Sequence, residues 1–192
     1  MSKEELLIKY YSLAVEHGHC ASQYWHTDLL IWLTKLWKPK VIVDLGTYCG
    51  GSFYCFLYGL VASDNNDGFI YTVDFIDRMD KLIYANLNKN LFMHIICSSE
   101  ELELSKPIDF LFIDDDSGYD HIMTVWKKHE KWVNVGGLVF FHDTHFIEQA
   151  SSVVIVVKEL WEKNKDRYVR LSDLGADVNG DPCGLEIWMK IK

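Results

Sequence analysis

Proline is scarce in this chain: 192 residues hold 3 of them, with no low-complexity tract and no internal repeat. Nothing marks a linker, so a single domain spanning 1–192 is expected. No apolar run approaches the ~18 residues that a membrane span needs. The opening Met-Ser-Lys-Glu-Glu lacks the apolar core of a secretion signal. The expectation is a cytoplasmic protein with no membrane partner. Cys20, Cys49, Cys55, Cys97 and Cys183 show no C-x-x-C spacing. They are read as reduced residues, neither a disulfide framework nor a zinc site. Positive charge is short as well: the net charge is −9, and no lysine or arginine cluster forms a basic face. Affinity for nucleic acid comes largely from phosphate neutralisation, so DNA and RNA are excluded as partners and a small-molecule partner is favoured.

What is abundant is apolar and aromatic surface, 49% and 14% of residues. That suffices for a sizeable core in a chain of this length. The organising stretch is 41–52. An apolar run from Val41 to Val43 ends in Asp44, and a turn with Gly46, Gly50 and Gly51 follows. An aromatic segment from Phe53 then reads as a helix. A buried parallel strand entering a βα unit has this form, and the glycines let the backbone pass close to a ligand at the new helix N-terminus. The spacing is not the G-x-G-x-x-G of dinucleotide sites, because Tyr48 stands at the middle glycine. The next strand-like run, Phe69–Asp74, closes on an acid 28 residues after Gly46. A carboxylate there can accept both hydroxyls of a ribose, which points to a nucleoside-like ligand.

In chain order, 3–17 is expected as a helix stopped by Gly18, and Thr27–Trp37 as a second one. His17, His19 and Cys20 are taken as helix-end residues rather than metal ligands. The helix after the glycine turn runs to about Ala62. Arg78–Asn88 reads as the next helix and His94–Cys97 as a short strand. Ile108–Ile113 is the fourth strand, followed by an amphipathic helix over Tyr119–Val133, a turn at Asn134–Gly137 and a fifth strand at Leu138–Phe141. A helix over 148–165 is favoured above a strand at Val153–Val157. Tyr168–Leu171 and Leu185–Ile191 close the chain as a strand pair joined by the polar loop Ser172–Gly184.

Two strand ends carry unusual charge. The fourth runs into Asp114-Asp115-Asp116, and the fifth into His142-Asp143-Thr144-His145. Three consecutive carboxylates repel unless a cation or a proton relieves them. Adjacent parallel strands end at the same carboxyl edge, so these oxygens with one imidazole would suit Mg²⁺, Mn²⁺ or a similar divalent ion.

Leu45-Gly46-Thr47-Tyr48-Cys49-Gly50-Gly51-Ser52 resembles the first motif of class I S-adenosylmethionine-dependent methyltransferases. The nearest groups are the catechol O-methyltransferase-like enzymes and the small bacterial, methyltransferase-24 type, O-methyltransferases. The resemblance runs from about Leu29 to the C-terminus. It implies an α/β fold: a Rossmann-like, seven-stranded, doubly wound sheet, mostly parallel with an antiparallel C-terminal strand. N-terminal helices over 1–38 would precede a core at 39–192. It implies S-adenosylmethionine as cofactor, with Gly46 and Gly50 at the turn and Asp74 on the ribose. Asp44, Tyr48 and Ser52 would line the methionine end, and Asp114 a site shared with the metal. Ser98 and Ser99 take positions beside the adenine, where Ser99 as a plain helix cap is the alternative. The metal ligands implied are Asp114 and Asp143, with His142 where some relatives have an acid.

The chain also departs from these families. The lysine that catechol-type enzymes use three residues after the strand-four aspartate is Ser117 here. Where many relatives have Asp-Gly-Asp-His-Ser-Tyr, this chain has Asp-Asp-Asp-Ser-Gly-Tyr. Asp116 matches the aspartate that sugar O-methyltransferases use as a base, and His145 is the other candidate for the proton. Three functions follow: O-methylation of a small-molecule or sugar hydroxyl, a cofactor-binding module of the same fold without transfer, or a nucleotide-dependent oxidoreductase. The last is disfavoured by the glycine spacing and the C-terminal strand pair. The aromatic N-terminal helices either cover the sheet edge or pair with another subunit in a homo-oligomer.

Overall fold

The computed structural model describes residues 2–21, 24–79, 87–116, 118–145, 153–174 and 184–192. The chain forms two compact units, Met1–Cys97 and Ser98–Lys192.

In the first unit, helices α1 (Lys3–Ala21) and α2 (Tyr24–Trp37) precede strand β1 (Val41–Leu45). Helix α3 (Gly51–Ala62) and strands β2 (Phe69–Asp74) and β3 (Phe92–Ile96) follow. The strands pair in parallel in the order β3-β2-β1, with Asp44 opposite Thr72 and Asp74 opposite Ile96. Helix α3 is apolar nearly all round, and Phe53 to Leu57 are completely buried. A helix of that character must be covered on every side, and α1 and α2 both pack on it. The α2 contact is close: a methyl group on Gly59 would collide with the Thr34 side chain. Gly18 does not stop α1, which continues to Ala21. Burial of Tyr10, Leu13 and Ala14 outweighs the roughly 1 kcal/mol that a mid-helix glycine costs.

The second unit begins with strand β4 (Ile108–Ile113), helix α4 (Tyr119–His129) and a 3₁₀ turn at Glu130–Trp132. Strand β5 (Val133–His142), helix α5 (Val153–Asn164) and strands β6 (Tyr168–Leu174) and β7 (Leu185–Lys190) complete it. Its strand order is β4-β5-β7-β6, with β4 and β5 parallel and β7 antiparallel to both neighbours. The seven strands are therefore those of the expected α/β class, mostly parallel with antiparallel strands at the C-terminus. Trp188 is completely buried and meets Trp126, Phe141, Trp161 and Tyr168 at 4.7–5.9 Å between ring centroids.

Three boundaries differ from expectation. The turn foreseen at Asn134–Gly137 belongs to β5: Val133 already pairs with Ile108 and the register shifts before Phe110. Asn134 Nδ2 donates to Asp109 Oδ1 across that shift at 2.8 Å. Strand β6 extends three residues past Leu171, because Ser172, Asp173 and Leu174 pair with Ile187, Glu186 and Leu185. The fifteen-residue helix foreseen from Tyr119 ends instead at His129. Most of the expected Arg78–Asn88 helix, the start of the 148–165 helix, Ser117 and most of the Ser172–Gly184 loop lie outside the described residues. No described helix is long and apolar enough to cross a membrane.

Candidate functional site: a glycine turn and an acidic pocket

The glycine turn is held from beneath by β1 and β2. Asp44, the fourth residue of β1, is fully buried. Its Oδ1 accepts from Ser52 Oγ at 2.7 Å and its Oδ2 from Thr72 Oγ1 at 2.8 Å. The carboxylate thereby ties the first turn of α3 to β2, and its two charge-assisted bonds offset the cost of burying it. The N–H groups of Gly46 and Thr47 both donate to Val73 O. Gly46, Tyr48 and Gly50 have φ of 91°, 46° and 96°. Glycine takes this left-handed region freely, whereas Tyr48 needs outside support.

Asp74 supplies that support at the end of β2. Its Oδ2 accepts the backbone N–H of Tyr48 at 2.8 Å, and its Oδ1 that of Ile76 at 2.9 Å. The Arg78 guanidinium lies over the Tyr48 ring at 4.8 Å and over Phe75 at 5.7 Å. Asp44, Gly46, Tyr48, Gly50, Ser52 and Asp74 thus meet in one place. Asp44 and Ser52 face each other in the interior, and Tyr48 stands in solvent.

In the second unit a shallow, half-open pocket lies at the ends of β4 and β5. Asp114, Asp115, Asp116, His142 and Asp143 line it against an apolar wall that includes Ile122, Phe141 and Val153. His142 Nδ1 lies 2.9 Å from Asp114 Oδ1 and 3.2 Å from Asp143 Oδ1. Burial pushes the Asp114 carboxyl above its usual range, against the pull of His142. Burial alone would lower the His142 imidazole, but Asp114 and Asp143 overcome it and raise it. One oxygen or nitrogen from each of Asp114, His142 and Asp143 falls within 4.8 Å of the others. Two carboxylates and an imidazole at that spacing fit a divalent cation.

The remaining sequence candidates are placed differently. Asp116 Oδ1 accepts the Gly118 N–H at 2.8 Å and shapes the entry to α4. His145 is not among the pocket's lining residues. Its Nε2 is 3.4 Å from Asp173 Oδ1 at the end of β6, and its Nδ1 is 3.3 Å from Thr144 Oγ1. Ser98 closes a turn, its carbonyl accepting from Glu101 and Leu102 and its hydroxyl from Glu100.

Ser99 belongs to a network that sequence reasoning missed. Its hydroxyl donates to Asp115 Oδ2 and lies 3.1 Å from His121 Nε2, itself 2.8 Å from Asp115 Oδ2. His121 Nδ1 meets Glu100 Oε1 at 3.1 Å, and His129 Nε2 reaches Ser99 O at 3.0 Å. The hydrogen bond to Asp115 raises the His121 pKa despite partial burial. The available signal was Asp115 itself: the middle one of three consecutive carboxylates needs a cation, and His121 is the first basic residue after it.

The sequence matches the family model described as "Methyltransferase domain" over residues 43–144. That match takes in both the glycine turn and the acidic strand ends. No curated protein matches the chain. Among solved structures it is similar to a candidate O-methyltransferase from Klebsiella pneumoniae, with 17% identity and a TM-score of 0.73 over 97% of this chain and 90% of that one. The O-methyltransferase TomG from Streptomyces achromogenes, in complex with SAM, is 17% identical with a TM-score of 0.69 over 98% and 90%. An O-methyltransferase from Bacillus cereus, in complex with SAH, is 14% identical with a TM-score of 0.63 over 97% and 91%. At these identities the likeness establishes the fold.

Proposed function

The chain belongs to the methyltransferase-domain family, and from that premise we propose that it transfers the methyl group of S-adenosylmethionine to a hydroxyl of a small molecule or sugar, in the cytoplasm and with help from a divalent cation. The observation that carries this reading is Asp74. A carboxylate offers about four lone-pair sites. Tyr48 and Ile76 take one on each oxygen, and those left match the two hydroxyls of a ribose. Tyr48, whose N–H fixes this carboxylate, stands where a dinucleotide site would have its middle glycine, so a nucleoside fits better than a pyrophosphate.

Methyl transfer from a sulfonium is an in-line displacement, so the protein's tasks are to align the reactants and to take a proton. Asp44 and Ser52 set the start of α3 and hence where the turn presents its backbone. Asp114, His142 and Asp143 would hold the cation, which when bound lowers the pKa of a coordinated hydroxyl. Asp116 would accept the proton, a reading supported by its position in the lining of the same pocket. His145 is held away by Asp173 and serves less well as base.

Calorimetric titration with S-adenosylhomocysteine tests the cofactor, on wild type and Asp74→Ala, with and without Mg²⁺. Binding that Asp74→Ala weakens is expected; no binding by wild type under either condition overturns the proposal. Turnover with a panel of hydroxylated acceptors then separates an enzyme from a cofactor-binding module.

A further inference from the structure

Helices α1 and α2 leave large apolar side chains in water. Ile8 is 64% exposed, Tyr11 42%, and Trp32 and Leu36 57% each. Trp32 and Leu36 are one turn apart on α2, and Ile8 and Tyr11 one turn apart on α1, so each pair shares a helix face. The Tyr11 hydroxyl donates to Asp28 Oδ1 at 3.3 Å, one turn before Trp32, which joins the two stripes into one patch. The opposite face of α2 is anchored, since Leu30, Ile31, Leu33 and Thr34 are buried and the helix packs on α3. The exposed stripe is therefore a fixed surface of the folded unit.

We infer that this face docks a second copy of the same chain, with α2 antiparallel to its counterpart across a two-fold axis near Trp32. The charges on the helix argue for it. Asp28 lies four residues before Trp32 and Lys35 three after, and both are exposed. Antiparallel pairing centred on Trp32 brings Asp28 of each copy toward Lys35 of the other, as a self-complementary two-fold interface requires. Parallel pairing would set like charges together. A lipid surface fits the patch poorly: Glu4, Glu5 and Asp28 stand on the two helices that carry it, the chain has net charge −9, and anionic membranes recruit basic faces.

The size of the patch sets the strength. A large aromatic side chain carries about 150–250 Å², and Ile8 and Leu36 are smaller than Tyr11 and Trp32, so the four partly exposed side chains supply a few hundred Å² per copy at most. That is below the ~800 Å² per partner of a standard stable complex. The dimer is accordingly weak, with a dissociation constant in the micromolar range or above, and it does not depend on the proposed activity.

Sedimentation equilibrium of the full chain, from micromolar to near-millimolar protein, tests the inference. The wild type is expected to dimerise reversibly as concentration rises. Trp32→Glu is expected to stay monomeric with an unchanged circular dichroism spectrum. Asp28→Lys and Lys35→Asp should each weaken association by about tenfold, and the double swap, which restores the opposite charges, should recover most of it. A wild type that is monomeric throughout, a Trp32→Glu protein that still dimerises, or a double swap no better than the single ones overturns it. So does a monomeric wild type that binds phosphatidylserine vesicles, since the patch then serves a membrane.

Discussion

The backbone N–H of Tyr48 donates to Asp74 Oδ2 at 2.8 Å, so the acid that ends β2 also holds a non-glycine residue at φ 46° in the turn after β1. Asp74→Asn keeps the shape but loses the charge and one acceptor. Hydrogen bonds to a charged group contribute about 1.5–3 kcal/mol each, so a stability loss of about 1–3 kcal/mol is expected, with S-adenosylhomocysteine affinity down at least about tenfold. Urea melts and calorimetry measure the two effects. Unchanged affinity would remove Asp74 from the nucleoside site.

The acidic pocket predicts a thermal response to metal. If Asp114, His142 and Asp143 bind Mn²⁺, a concentration of 100 times Kd adds about 2.7 kcal/mol of stability and raises Tm. Asp143→Asn should abolish that rise. His142→Ala, measured without metal, leaves Asp114 and Asp143 without their shared partner. Removing one member of a buried ion pair costs roughly 3–5 kcal/mol. A flat Tm across a Mn²⁺ titration of wild type would speak against the site.

His121 makes stability depend on pH. Its folded pKa is raised by Asp115, above an unfolded value of about 6.5. The stabilisation is thus fully present below about pH 6.5 and fades as pH climbs through the folded pKa. His121→Asn should lower Tm more at pH 6 than at pH 9. An equal loss at both values would show that the imidazole is not charged in the folded protein.

Gly59 tests the helix packing. A Cβ added there would collide with Thr34 Cβ and lie 2.6 Å from its Cγ2. Overpacking costs typically about 1–3 kcal/mol, and Gly59→Ala should reach that range. Thr34→Ala, which retains the Cβ, should not restore stability in the double variant. Denaturant midpoints decide.

Much of this was legible in local pattern. Phe69–Asp74 and Ile108–Ile113 are strands with the expected limits, because β-branched and aromatic runs bounded by charge or glycine settle their own conformation. That Asp114 and Asp116 would meet His142 and Asp143 followed from strand ends, since neighbouring parallel strands finish at one edge; the choice of Asp114, His142 and Asp143 among them came from the family resemblance. The Ser99–Asp115–His121 network was not legible. It joins a turn, a strand end and a helix start that are 6 to 22 residues apart, and no periodicity records such contacts.

The sequence by itself determined where β2 and β4 end, that acidic side chains stand at or just past the ends of β2, β4 and β5, and that glycine would carry the turn at 46–50. These are consequences of residue shape and short-range spacing. Tertiary structure alone decided that α1 runs through Gly18, that β5 begins at Val133 and that β6 reaches Leu174. It also decided that His145 turns to Asp173 while His142 serves both Asp114 and Asp143. In each case a partner distant in the chain supplies the pairing, the burial or the counter-charge, and that contribution exceeds the few tenths to one kcal/mol by which local propensity prefers another outcome.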